Sequence, residues 1–285
     1  MSTLLYPCLW FDGEAREAAD FYGTLFPNTR VTLDNGMVVM FEVDGRRIMG
    51  LNGGPLYKKN DAISLFAYCG GDEAYIDRLY AGLMDGGTAL MPLGSYPWTS
   101  KYAWVRDRFG VSWQLDIDPI NSDQHIVPAM LFVNEKQNLI QEARDFYLGI
   151  FPDSKPLMES PYDAYMGKPS GTLLFAQYKL RNTVMNAMSR HMVHDFDFNP
   201  GVSIVIECET QKEIDHFWES LGRDGRFDRC GWLSDKYGVS WQIIPSKLGA
   251  LMSNPKTAPH VGEVLLSMNK IEIQPLLEAA ALGME

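Results

Sequence analysis

Ten residues, DRFGVSWQLD (Asp107 to Asp116), are written twice in this chain. Asp235 to Ile244 reads DKYGVSWQII, at a constant spacing of 128 residues from Gly110 to Gly238. The upstream tryptophans keep that spacing, Trp104 in YAWVRDRFG answering Trp232 in CGWLSDKYG. A period long enough to enclose a whole domain means duplication rather than a solenoid. Asp-x-aromatic-Gly is turn chemistry, with glycine free to take a positive φ. The residues that follow alternate as a strand, with Val, Trp and Leu on one face and Ser and Gln on the other. Each copy therefore delivers a glutamine from a strand whose opposite face carries a tryptophan.

In chain order, Leu4 to Phe11 reads as a strand and Glu14 to Phe26 as a helix, with Ala18, Phe21, Tyr22, Leu25 and Phe26 at helical spacing. Pro27-Asn28 stops that helix. Three strands follow, around Arg30 to Leu33, Met37 to Val43 and Arg47 to Leu51, with hairpin turns at Asn35-Gly36 and Asp44-Gly45. The same order restarts with a strand from Ala62 to Cys69 and a helix from Asp72 to Met84. Strands around Thr88 to Met91, Tyr102 to Arg106 and Val111 to Asp116 complete it. The second half echoes the first: DFYGTLFPNTR (Asp20 to Arg30) against DFYLGIFPDSK (Asp145 to Lys155), and AISLFAYC (Ala62 to Cys69) against GVSIVIEC (Gly201 to Cys208). The seam is Pro119 to Gln124. After Pro245 a helical tail, Leu248 to Ala281, has no counterpart in the first half. The expected architecture is α+β: two tandem domains, 1–120 and 125–247, each of paired β-α-β-β-β units in a half-closed barrel, plus a tail over 248–285. The concave side of such a barrel is a pocket for a small molecule.

With 46% hydrophobic residues the chain is globular rather than disordered. Its formal net charge of −11 repels phosphate backbones and anionic membranes, so neither nucleic acid nor a membrane is expected as a partner. Cys8, Cys69, Cys208 and Cys230 form no C-x-x-C pair and suit small buried residues in a reducing compartment. No apolar run approaches spanning length, and no signal-peptide pattern opens the chain. A soluble, cytoplasmic protein is expected.

The stretches LWFDGEAREAADFYGTLFP, FEVDGRRIMGLNGGP and GVSWQ resemble the PhnB-like branch of the vicinal-oxygen-chelate superfamily, which includes glyoxalase I, bleomycin-resistance proteins and extradiol dioxygenases. Asn186 to Leu221 and Cys230 to Pro245 are similar in the same way, and the tail, with its SMNKIEI core, looks like the C-terminus of single-domain members. The branch is often labelled demethylubiquinone methyltransferase-like, yet no Gly-rich nucleotide loop of the kind a methyl donor needs follows a strand here. In metal-using relatives His and Glu ligands sit at fixed strand positions. The resemblance carries the eighth-strand position onto Gln114 and Gln242 and the fifth-strand position near Ser64 and Ser203. The first-strand position falls near Leu5 or Pro7, and near Val127 or Ala129. Hydroxyls and aliphatic groups do not complete a metal site. All five histidines (His125, His191, His194, His216, His260) lie in the second half, so no metal and no other cofactor is expected.

Gln114 and Gln242 are candidates to orient a ligand through their amides; a buried amide satisfying its neighbours fits the same pattern. Trp113 and Trp241 alternate away from the Gln face and are expected to pack on helices. Trp104 and Trp232 line either the cavity mouth or the core. His191 and His194, three apart, lack a Cys or Glu partner and read as a loop pair. Their region faces the pocket entrance in the resembling family, which adds Asn186, Ser189 and His194 to the candidates, with Asn52 as the first-half analogue by position. Asp12 and Glu14 suit a helix N-cap. Cys69 and Cys208 end apolar strands with no cationic neighbour and read as structural thiols. The expected ligand set is thus Gln114, Ser64, Trp104, Asn52, Gln242, Ser203, Trp232, Asn186, Ser189 and His194. The leading expectation is binding of a small, partly apolar molecule without metal. The alternatives are a metal-dependent lyase, isomerase or dioxygenase of the glyoxalase type, and a structural or interaction protein with filled cavities. The two halves are expected to make within one chain the pairing that single-domain relatives make between two, as a pseudo-dimer that also leaves a homodimer open.

Overall fold

The computed structural model describes residues 4–162, 172–190 and 192–284. The strand-helix-three-strand order appears four times. The first unit is β1 (Leu4–Phe11), α1 (Ala15–Leu25), β2 (Arg30–Asp34), β3 (Val38–Val43) and β4 (Arg46–Asn52). The second is β5 (Ile63–Tyr68), α2 (Glu73–Leu83), β6 (Thr88–Tyr96), β7 (Thr99–Arg106) and β8 (Ser112–Asp116). The third is β9 (Ile126–Phe132), α3 (Ile140–Ile150) after a short 3-10 turn, β10 (Lys155–Pro161), β11 (Leu173–Leu180) and β12 (Thr183–Ser189). The fourth is β13 (Val202–Cys208), α4 (Gln211–Gly222), β14 (Arg226–Phe227), β15 (Trp232–Ser234) and β16 (Ser240–Pro245). The tail forms α5 (Leu248–Ser253), α6 (Ala258–Leu266) and α7 (Ile273–Leu282).

One eight-stranded sheet has the order β10-β11-β12-β9-β5-β8-β7-β6, the other β14-β15-β16-β13-β1-β4-β3-β2. In the first, β5 and β9 run antiparallel in the register Ile63↔Met130, Ser64↔Ala129 and Phe66↔Val127. The second unit is thus completed by the third, across the seam of the repeat. Compact packing separates Met1–Tyr6 with Ser203–Glu285 from Pro7–Val202, the division falling within β1.

Within Pro7–Val202 the Asp-x-aromatic-Gly turn is an anchor as well as a bend. Gly110 takes φ +76, and the Asp107 carboxylate accepts from the backbone N–H groups of Phe109 and Val111, each at 2.9 Å. Its other oxygen accepts from the Trp113 indole at 3.0 Å and the Tyr22 hydroxyl at 2.7 Å. Trp113 is fully buried, stacked on Phe26 and edge-on to Tyr22 of α1, so its expected packing on a helix is what the structure has. Helix α1 lies so close over β4 that a Cβ on Gly50 would sit 2.8 Å from that of Ala15. Glu14 occupies the N-cap position of α1, but its carboxylate turns back to the N–H of Asp12. The Ala15 N–H is instead taken by the side chain of Asn52, from the end of β4.

Within Met1–Tyr6 with Ser203–Glu285 the anchor recurs. Asp235 accepts from the N–H groups of Tyr237 (2.9 Å) and Val239 (3.1 Å) and from the Trp241 indole (2.9 Å). Helix α4 opens on a capping box between Thr210 and Glu213, as an amphipathic surface helix commonly does. The SMNKIEI stretch ties the tail down: Cys230 and Gly231 donate to the carbonyls of Met268 and Asn269, and the Gln211 amide bridges the Ile271 carbonyl and the Ile273 N–H. Among the described residues no helix is long and apolar enough to cross a membrane.

Candidate functional site

Side chains of cross-strand partners share a face, and the register of the sheet within Pro7–Val202 sorts one face completely. Ser64 of β5 lies beside Ala129 of β9, which lies beside Asn186 of β12, which lies beside Gln177 of β11. On the other side Phe66 of β5 neighbours Gln114 of β8, and Gln114 neighbours Trp104 of β7. Between these polar groups the face is apolar: Phe66, Tyr102, Trp104, Val127, Ala129 and Leu131 form one buried cluster, with Met188 and Phe196 packed against it.

Two neutral hydrogen-bond clusters interrupt that apolar surface. In the first, the Gln114 amide nitrogen donates to Ser64 Oγ at 2.8 Å and approaches Met188 Sδ at 3.5 Å, while its oxygen accepts from the Tyr102 hydroxyl. Gln114 is wholly buried. In the second, the Gln177 amide donates to Asn186 Oδ1 at 3.0 Å and to Tyr68 Oη at 3.3 Å, and the Asn186 amide donates to Tyr68 Oη at 3.0 Å. Tyr68 Oη thus accepts twice. Its own O–H finds no acceptor among the described residues, and Tyr68 is only half-buried. Burial holds the hydroxyls of Tyr68 and Tyr102 far above the ordinary phenol range, so both remain proton donors.

The remaining candidates fall outside these clusters or at their edges. Trp104 lies in the core rather than at a mouth, its indole donating to Ser112 Oγ at 2.7 Å. Ser189 accepts from Tyr162 Oη at 2.9 Å and donates to the Gln137 carbonyl at 2.5 Å, which ties β12 to the entry of α3. Asn52, the last residue of β4, is engaged at both amide atoms, by Ala15 N–H and by the Gly36 carbonyl at 2.7 Å. By strand position it answers Ser189, the last residue of β12, and the residue answering Asn186 is Met49, paired with Cys8 as Asn186 is with Ala129. The amide cluster is therefore not duplicated. His191 lies outside the described residues. His194 packs against Phe196 at 4.7 Å between centroids, and its buried Nε2 has no hydrogen-bond partner among the described residues. Burial and the nearby Arg190 charge lower its pKa, leaving the imidazole neutral near pH 7. In Met1–Tyr6 with Ser203–Glu285 the glutamine-serine pair recurs, Gln242 Nε2 donating to Ser203 Oγ at 2.9 Å, with Trp232 as the cross-strand neighbour of Gln242.

The residues that sequence reading missed are Tyr68, Tyr102 and Gln177. Tyr68 ends a strand whose burial pattern gives no hint of a polar partner, and its amide partners are 109 and 118 residues away. Alternation along β7 and β11 does put Tyr102 with Trp104 and Gln177 with Phe175. That signal was present but carried no chemistry by itself. A groove elsewhere, lined by Asp20, Phe21, Leu25 and Arg108, shares no residue with the clusters.

In this sheet Ser64, Gln114, Ala129 and Asn186 share one face, on β5, β8, β9 and β12. Among the described residues no three His, Cys, Asp or Glu side chains come together as a cation site. A neutral set of one hydroxyl, two amides and a methyl does not fit a divalent transition ion. The same goes for Gln242 and Ser203.

Repeated β-α-β-β-β units in open, half-barrel sheets define the glyoxalase-type, vicinal-oxygen-chelate class of fold. The chain superposes on glyoxalase I from Zea mays with a TM-score of 0.55 over 86% of this chain and 92% of that one, at 10% identity, a likeness of fold alone. Within that class the chain belongs to the family described as 3-demethylubiquinone-9 3-methyltransferase, whose profile matches twice, over residues 3–116 and 124–244. The PhnB protein from Bacillus cereus is 33% identical over 38% of this chain and 95% of that one, with a TM-score of 0.36. No curated protein matches.

Proposed function

We propose that this protein binds a small, partly apolar molecule against the face carrying Gln114, Ser64, Asn186 and Tyr68, using neutral hydrogen bonds and aromatic contact and no metal ion. The observation that carries the reading is the Tyr68 hydroxyl: two amides fix its oxygen as an acceptor and leave its proton for something else. A donor held beside stacked Phe66, 5.5 Å away between ring centroids, suits a flat molecule with a carbonyl or hydroxyl at its edge. The quinone ring in the family's description has that shape and polarity. A second reading, a filled and purely structural face, is favoured by the Gln114 cluster, whose amide is satisfied at both ends. That none of Cys8, Cys69, Cys208 and Cys230 forms a disulfide supports a reducing, cytoplasmic location, and the net charge of −11 supports a partner other than nucleic acid. Pairing of the halves inside one chain supports a pseudo-dimer.

The test uses 2-naphthamide, a neutral two-ring compound with a carbonyl edge. Binding is expected to raise the melting temperature of the wild-type protein by mass action. Tyr68→Phe removes one hydrogen bond of about 0.5–1.5 kcal/mol and should weaken binding about two- to tenfold. Gln114→Leu should weaken it as well, by disordering Tyr102 and Ser64. No shift with the wild type would favour the filled face. Stoichiometric Zn, Ni, Mn or Fe on elemental analysis would overturn the metal-free part.

A further inference from the structure

The row of cross-strand partners next to the one holding Gln114 runs from Tyr68 of β5 through Asp116 of β8 and Tyr102 of β7 to Gly94 of β6. Partners in register share a face. Asp116 therefore stands one strand from Tyr68, about 4.8 Å between backbones, on the face that Gln114 takes two residues earlier. Asp116 is buried. Its Oδ1 accepts from Thr99 Oγ1 at 3.0 Å and from the Asp118 N–H at 3.1 Å, and its Oδ2 takes no hydrogen bond among the described residues. Tyr68 is the converse, an oxygen taken twice and a proton left over. Among the described residues no hydrogen bond joins the two groups to each other. The strand positions themselves demand neither: in the second copy of the repeat Glu207 stands for Tyr68 and Ile244 for Asp116, again in register. The row is not sealed. Tyr68 is half-buried, and a Cβ at Gly94 would meet nothing nearer than 3.9 Å. Arg190 lies over the Trp104 ring of the neighbouring row, 5.7 Å from its centroid, and among the described residues makes no ion pair with Asp116.

We infer that the ligand carries, side by side on its edge, a carbonyl for the Tyr68 hydroxyl and an N–H or O–H for the Asp116 carboxylate, and that Asp116 turns anionic molecules away. This rests on the small-molecule reading above and names the class of molecule within it. A donor and an acceptor on neighbouring atoms, as in a primary amide, send their hydrogen bonds along diverging lines, which suits two protein groups set one strand apart. Burial raises the pKa of Asp116, so a donor brought to Oδ2 relieves the cost of a desolvated charge. Hydrogen bonds to an ionised acceptor are also the stronger kind. A carboxylate head would instead face that charge and the exposed Asp118 two residues on.

The experiment is a calorimetric titration of the intact protein with three flat probes: 2-naphthamide, 2-acetonaphthone and 2-naphthoate. The ketone replaces the amide nitrogen by a methyl group of similar size, and the acid replaces it by a charged oxygen. The wild type is expected to bind the amide about tenfold more tightly than the ketone, and more tightly than the acid. Asp116→Asn keeps an oxygen for Thr99 and Asp118 but turns a donor toward the ligand, so it should erase the preference for the amide and strengthen binding of the acid. Tyr68→Phe should weaken amide and ketone alike. Equal binding of amide and ketone, both weakened by Tyr68→Phe, overturns the Asp116 contact and leaves the small-molecule reading standing. An amide preference that survives Asp116→Asn does the same. Tightest binding of the acid overturns the exclusion of anions. Binding of none of the three overturns both the inference and the reading beneath it. Circular dichroism of each variant distinguishes lost binding from lost folding.

Discussion

Asp107 and Asp235 show how much one carboxylate can organise when it is buried. Burial raises the pKa of Asp107, against the pull of four donors, so the carboxylate is kept in place by bonds that each favour its charged form. Replacing Asp107 by Ala strands the Trp113 and Tyr22 donors in the core, at about 1–3 kcal/mol for each. Urea unfolding of Asp107→Ala should show a lower midpoint with an unchanged slope; an unchanged midpoint would mean the turn holds without its anchor. Because the folded-state pKa is raised, this group's contribution to stability falls as pH rises from the ordinary carboxylate range through the raised value. The sequence pattern made this residue legible as a turn former and Trp113 as a packing residue. It did not show the bond between them, because a carboxylate six positions before a tryptophan has no signature until the strand is folded. Gln114 and Ser64 were legible from alternation and repetition. Tyr68 and Gln177 were not, since their meeting depends on β5 and β11 lying in one sheet with two strands, β9 and β12, between them.

At the scale of elements, helix boundaries came through within a residue or so: Glu14 to Phe26 became Ala15–Leu25, and Asp72 to Met84 became Glu73–Leu83. Apolar spacing and stop residues are local, and so is capping. Thr210→Ala removes the hydroxyl half of the α4 capping box and should lower the unfolding free energy by about 1 kcal/mol, read as a small drop in the thermal midpoint. A drop of several kcal/mol would place Thr210 in a larger network. Strand β6 extends to Tyr96, well past the expected Met91, because register shifts at Ala89/Met91 and Met91/Gly94 absorb Pro92 at the sheet edge. Such bulges are set by the partner strand, so a pattern search on one strand does not find them.

For the whole molecule, the fourfold unit order was legible, since each unit repeats its own hydrophobic rhythm. Which units pair was not, because every β-α-β-β-β unit presents a similar strand edge and sequence offers no label for its partner. The family profile matches each half of the chain. With the halves joined covalently, gel filtration should return one species near 32.2 kDa. A stable species of twice that mass across a dilution series would mean that further pairing between chains is required.

The antiparallel contact of β5 with β9 has a consequence for how such a chain could ever be divided. A cut within Pro119 to Gln124 spares every strand, yet it leaves each fragment with a bare row of amide and carbonyl groups along a central, apolar strand. Edges of that kind invite adhesion to any chain that offers a match. Separated pieces would be driven to rejoin or to precipitate, so the linker that looks most dispensable on paper keeps the two complementary edges at high effective concentration.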